Sequence, residues 1–178
     1  MTKWAVDQSH SQIGFEVKHM MVSKVKGVFD SYTANVEAAD LADLTGANIS
    51  FKFDVASINT RNEDRDNHLK SADFFDADQF PAITFESTSI TKSGDSFDVT
   101  GNLTIKDVTK EVTFETEFNG KGTNPWGVAV YGFEAETKIN REDFGLTWNA
   151  ALETGGVLVG KDVKIKVELE LNPAAEQY

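Results

Sequence analysis

The sequence predicts an all-β chain that closes an antiparallel barrel, and three observations support this. Apolar and polar residues alternate in segment after segment, turn signals separate the segments, and only short stretches break the pattern. A strand turns successive side chains to opposite faces, so a period of two marks one wet face and one dry face. When most strands are built this way, the sheet buries its dry face around a common interior.

The strands are expected near 4–7, 12–18, 25–37, 47–56, 82–90, 96–105, 109–119, 127–139 and 161–171. The second sets Ile13, Phe15 and Val17 against Glu16 and Lys18. The fourth sets Ile49, Phe51, Phe53 and Val55 against Ser50, Lys52 and Asp54. Phe97 and Val99, then Val112 and Phe114, carry the pattern on. It ends with Val163, Ile165, Val167, Leu169 and Leu171 facing away from Lys164, Lys166, Glu168 and Glu170. Turns are marked by Lys92-Ser93-Gly94-Asp95, Lys106-Asp107 and the run from Asn119 to Pro125. Eight or nine strands in sequential order favour an up-and-down barrel over a sandwich. Ten strand residues rise roughly 33 Å, and eight such staves leave a lumen that side chains plug or one small ligand fills. Gly14, Gly27, Gly101 and Gly132, inside strand patterns, mark bends or close backbone approach.

Two stretches depart from period two. Residues 60–71 read as a short helix, with Thr60 and Glu63 at capping-box spacing. Residues 146–160, with Trp148 and Leu152, are too apolar for a solvated loop and read as a lid or plug.

At 178 residues and 40% hydrophobic content the chain suits one domain spanning 1–178 with an ample core. It contains no apolar run of membrane-spanning length, so no stable membrane insertion is expected. The N-terminus reads as no signal peptide, which makes a cytoplasmic location the expectation, with a periplasmic or secreted one the alternative if a signal has been removed. With no cysteine there is neither a disulfide nor thiolate chemistry. A net charge of −12 argues against nucleic acid, which is bound through Lys and Arg, and against docking on anionic membranes.

Candidate chemistry is sparse. His10, His19 and His68 are the three histidines, and no metal-ligand spacing joins them. His10, between Ser9 and Ser11, reads as a turn-bonding residue, and His19, at a strand end, as a ligand head-group contact. A hydrolase would need a nucleophile elbow that this chain lacks. Asp64, Asp66, Asp73, Asp76 and Asp78 lack EF-hand spacing and read as a solvated face. Arg61 and Arg65 lie one helical turn apart; they and Arg141 bind a head-group oxygen or pair with nearby acids, the ion pair being favoured. Phe74, Phe75 and Phe80 close one barrel end, frame a portal or, equally, pack under a helix, and Trp4 packs the first strand on a barrel end.

Laid end to end, these segments resemble the YceI-like family of polyisoprenoid-binding, lipocalin-like barrels. The resemblance rests on Trp4–Phe15, Val17-Lys18-His19 with Val25–Phe29, Arg65–Asp76, Phe80–Ser87, Gly101–Ile105 and Ile139–Gly145, six phrases in series. It implies an elongated eight-stranded antiparallel barrel, with one or two short helices and a lid-like loop, that holds a long isoprenoid lipid (polyprenyl or quinone-like) in its lumen. It implies no catalytic residues and makes a homodimer plausible. No cofactor is expected.

Strand parity assigns the tail to Phe15, Val17, Phe29, Ile49, Phe51, Phe53, Phe85, Phe97, Phe114, Phe118, Tyr131 and Phe133, with Trp148 lining from the lid and His19 near the head group. Phe29 sits in a segment where Val28, Tyr32, Ala34 and Val36 argue for the opposite phase. A lipid-modifying enzyme and a plugged barrel acting as a stress-related interaction protein are the alternative readings.

Overall fold

The computed structural model describes residues 2–149 and 158–173. Eleven strands form one antiparallel sheet that closes on itself. Three of its staves are broken in two. The first combines β1 (Thr2–Val6) and β2 (Gln12–His19), interrupted by a 3-10 turn at Gln8–His10. The second combines β3 (Ser23–Phe29) and β4 (Tyr32–Ala38); the third, β5 (Asn48–Asp54) and β6 (Ile58–Asn59). Unbroken staves follow: β7 (Ala82–Ser93), β8 (Ser96–Ile105), β9 (Val108–Thr123), β10 (Ala129–Asn140) and β11 (Val159–Pro173). β11 pairs with β10 on one side and with both β1 and β2 on the other, so the ring has eight staves and no open edge along this seam.

The expected strands are all present, and each stave pairs with its chain neighbours as an up-and-down barrel requires. The stretch expected as one strand over 25–37 is two. Phe29 and Tyr32 are both buried although their phases oppose, because the chain turns at Asp30-Ser31 and swaps faces there. Single extra residues at Thr88 in β7 and Asn119 in β9 shift the phase again. The β8–β9 hairpin turns through Lys106 and Asp107, both at positive φ (50° and 65°), the geometry of a type I′ turn.

A helix, α1 (Glu63–Lys70), lies at the end where β2, β5, β8 and β10 finish. Its cap is Asn62 rather than Thr60: the Arg65 backbone N–H donates to the Asn62 side-chain oxygen at 3.0 Å. Thr60 instead donates its N–H and hydroxyl to Asp66 Oδ1. The opposite end is closed by the β4–β5 loop, whose Leu41 and Leu44 are buried against Val36, Phe97, Tyr131, Phe133 and Leu171. Trp4 seals this end, donating its indole N–H to the Ala38 carbonyl at 3.1 Å and meeting Tyr131 edge-on at 5.2 Å.

Two strand glycines are sites of close approach. A Cβ at Gly101 would collide with the Glu86 carbonyl and the Phe85 ring, and one at Gly27 with the Phe15 ring and Thr60. Gly101→Ala is therefore expected to cost about 1–3 kcal/mol in urea unfolding. Gly122→Ala, which meets nothing within 4 Å, is the control. Equal midpoints for the two variants would show that the β7–β8 contact tolerates a methyl group.

Candidate functional site

The interior is hollow toward the helix end and packed toward the other. A cavity of about 400 Å³ opens beside α1, and a smaller one of about 70 Å³ lies deeper in the barrel. Phe53, Leu103 and Ile165 border both, so the two chambers form one tapering lumen with a constriction.

Strand parity places Phe15, Val17 and His19 on one wall of the larger chamber, with Phe29 beside them and Trp148 across the mouth. Phe53 sits at the constriction. Ile49, Phe51, Phe85, Phe114 and Phe133 line the smaller chamber, where Phe85 meets Phe114 edge-on at 5.1 Å. Phe97, Phe118 and Tyr131 point inward but border neither chamber; they pack the closed end, with Phe118 5.1 Å from Phe133. The packing there, with Trp4 and the Leu41–Leu44 loop, leaves no room beside these rings. Several wall residues were not assigned to the tail from the sequence: Ile13, Ile83, Leu103, Ile105, Ile139, Val163 and Ile165. Their signal was present, since each shares its strand's inward phase.

Among the described residues the charged and histidine side chains that border the lumen gather at the mouth, Lys18 and His19 from β2, Asp64, Arg65 and His68 from α1, and Arg141 after β10; in the smaller chamber the one polar wall residue is Thr116, whose hydroxyl donates to the Phe114 carbonyl at 3.3 Å. Among the described residues the His19 ring makes no hydrogen bond. Arg65 is committed to the Thr60 hydroxyl and carbonyl, each at 2.8 Å, rather than to an acid. His68 faces Asp73 at 2.9 Å and stands edge-on to Trp148 at 4.7 Å and to Phe74 at 5.1 Å. Phe74 and Phe75 thus belong to the portal, as Phe75 packs on Phe29.

Arg141 corrects its sequence reading. It is 3% exposed and has no salt bridge among the described residues. It donates instead to the carbonyls of Leu146, Trp148, Val159 and Gly160. Burial pushes its pKa down, and Glu142 partly offsets this. Four carbonyls replace the water that a buried guanidinium would otherwise lose. The residue pins both ends of the segment read as a lid, whose middle, 150–157, lies outside the described residues. Asn149 extends this clamp, exchanging two hydrogen bonds with the Val159 backbone.

Outside the lumen, Asp7, His10 and Glu170 tie the broken first stave to β11. The Asp7 carboxylate, 2.9 Å from His10 Nδ1, raises the His10 pKa, with Glu170 adding to the effect. Hydrogen bonds from Ser9 and His10 lower that of Asp7.

A closed antiparallel barrel with a blind apolar lumen and a polar rim defines the class of proteins that shelter apolar molecules. The YceI-like domain model matches residues 4–171, and the chain belongs to that family. A UPF0312 protein of Staphylococcus aureus strain N315 is 48% identical over 173 residues, covering 97% of this chain and 98% of the relative. The crystal structure of the Campylobacter jejuni YCEI protein is 32% identical, with a TM-score of 0.74 over the full length of both chains. Burkholderia cenocepacia BcnA is 27% identical, with a TM-score of 0.80 over 93% of this chain and 98% of its own. A polyisoprenoid binding domain from Saccharophagus degradans shares the fold, with a TM-score of 0.72 over 97% of this chain and 99% of its own, at 12% identity.

Replacing Arg141 with Met keeps the length and removes every donor. The orphaned carbonyls and lost bonds are expected to cost about 2–4 kcal/mol in chemical denaturation. Amide exchange should rise first at residues 145–149 and 158–160. Unchanged exchange there would mean that the clamp does not hold the mouth.

Proposed function

We propose that this protein is a non-enzymatic carrier or reservoir for an isoprenoid lipid, held tail-inward in the lumen with its head group at the helix end. The observation that carries the reading is the shape and chemistry of the lumen: hollow toward the helix end, walled by apolar side chains save Thr116 in the smaller chamber, and charged only at the rim. The larger chamber falls in the range that buries most of a small ligand. An apolar cavity of 150 Å³ holds benzene, about 25 Å³ per carbon, so this chamber accommodates roughly 16 carbons, about three prenyl units. Each buried carbon contributes roughly 0.8 kcal/mol, and no specific polar contact is needed for the tail.

The name of the Saccharophagus degradans domain points to the same ligand class. His19, with its unengaged ring, is the head-group contact that the geometry favours, and Lys18 beside it is a second donor. A packed closed end with an open mouth also weighs against a barrel plugged along its whole length.

Titration with prenyl alcohols of increasing length tests the reading. Affinity is expected to rise at least tenfold from ten to fifteen carbons, then to level off once the constriction at Phe53, Leu103 and Ile165 is reached. No binding at any length would refute the carrier. Phe53→Asp buries an unpaired carboxylate in the lumen wall and is expected to abolish binding or unfold the barrel. Lys52→Asp, on the outer face of the same strand, should change neither. If both variants behaved alike, the inward face of β5 would be misassigned.

A further inference from the structure

We propose that the β2–β3 hairpin docks the open end of the barrel on an anionic lipid bilayer. The inference rests on the carrier reading, because a lipid carrier must meet the surface that stores its cargo. Its evidence, however, lies outside the lumen.

Met20, Met21 and Val22 form the hairpin tip and are 45%, 57% and 86% exposed. Among the described residues only one other large apolar side chain is as exposed, Trp126, on the turn between β9 and β10 at the closed end. An exposed apolar run of three on one turn is not the scatter of single residues normal on a surface. The turn chemistry makes it less ordinary still. Met20 and Met21 have φ of 54° and 65°, a region that Gly, Asn and Asp occupy with least strain and where methionine has no local reason to be. The tip stands on the rim: His19 lines the chamber, and the Met20 N–H donates to the Leu158 carbonyl at 2.8 Å.

The charge around the tip runs against that of the whole molecule. The chain carries −12, yet residues 16–26 hold three lysines against one glutamate, and residues 159–167 three lysines against one aspartate. These two segments pair directly, with Lys164 opposite Glu16 and Lys166 opposite Gly14, and Lys24 pairs across the hairpin with Lys18. Four of these lysines face an acid, Lys24 with Glu16 at 3.3 Å, Lys161 with Glu142 at 3.6 Å, Lys164 with Glu136 at 3.4 Å and Lys166 with Glu168 at 3.8 Å; Lys18 and Lys26, which flank the tip, have no ion pair among the described residues. Charges more than about 8 Å apart are largely screened at physiological salt, so a bilayer at the tip meets first the lysines of the hairpin that carries it, Lys18, Lys24 and Lys26. Apolar residues at the headgroup boundary, flanked by lysines, are the composition that binds anionic interfaces reversibly.

Flotation with vesicles tests this on the intact protein, alongside uptake of a detergent-solubilised prenyl alcohol. Wild type should float with phosphatidylglycerol–phosphatidylcholine vesicles and at least tenfold less with phosphatidylcholine alone. Met21→Asp with Val22→Asp should lose vesicle binding at least tenfold and keep prenyl uptake; aspartate suits the backbone at position 21 and neither residue borders the lumen. Lys24→Glu with Lys26→Glu should erase the preference for phosphatidylglycerol. Wild type failing to float, equal binding to both vesicles, or an Asp variant that floats like wild type overturns the docking proposal. Loss of prenyl uptake by wild type is a different result and overturns the carrier reading instead.

Discussion

Closure through β11 is the constraint on which the rest of the structure depends. This stave pairs with β10 along one side and with both halves of the broken first stave along the other. Without that double pairing the sheet would have two open edges and no inside. With it, inward-facing rings and branched aliphatics from eight staves surround a single lumen. The small polar cluster of Asp7, His10 and Glu170 sits where the first stave breaks, and so holds the seam at its weakest point.

A closed wall does not by itself create a binding site. Here the two ends are finished differently. At one, the β4–β5 loop drives Leu41 and Leu44 against Phe97, Tyr131 and Phe133, while Trp4 seals the edge. At the other, α1 lies across the opening, and Arg141 pins the flanking segment through backbone carbonyls. Among the described residues the result is a tapering lumen, wide near the helix end and pinched at Phe53, Leu103 and Ile165. Among the described residues, charged groups border the lumen only at that wide end.

The fold was largely legible in the sequence because period two is a property of each strand alone. The chain order of the strands, their approximate ends and most of the inward faces follow from it. What escaped depends on contacts between segments. Asp30-Ser31 swaps the phase between Phe29 and Tyr32, and both residues are buried as a consequence; a single-strand pattern cannot show a swap. Phe97, Phe118 and Tyr131 face inward as parity requires, but packing at the closed end decides that they fill space and do not line a chamber. Arg141 looked like half of an ion pair, since four convergent carbonyls leave no mark on the sequence. The capping of α1 moved from Thr60 to Asn62 because Thr60 is engaged by Arg65 and Asp66.

Organic extraction of the purified protein, followed by mass spectrometry, interrogates the tunnel most directly. The account expects one prenyl-tailed lipid per barrel, lost together with the fold on denaturation. Repeated preparations that yield no lipid, from a protein that also stays empty in the presence of excess polyprenol, would contradict it.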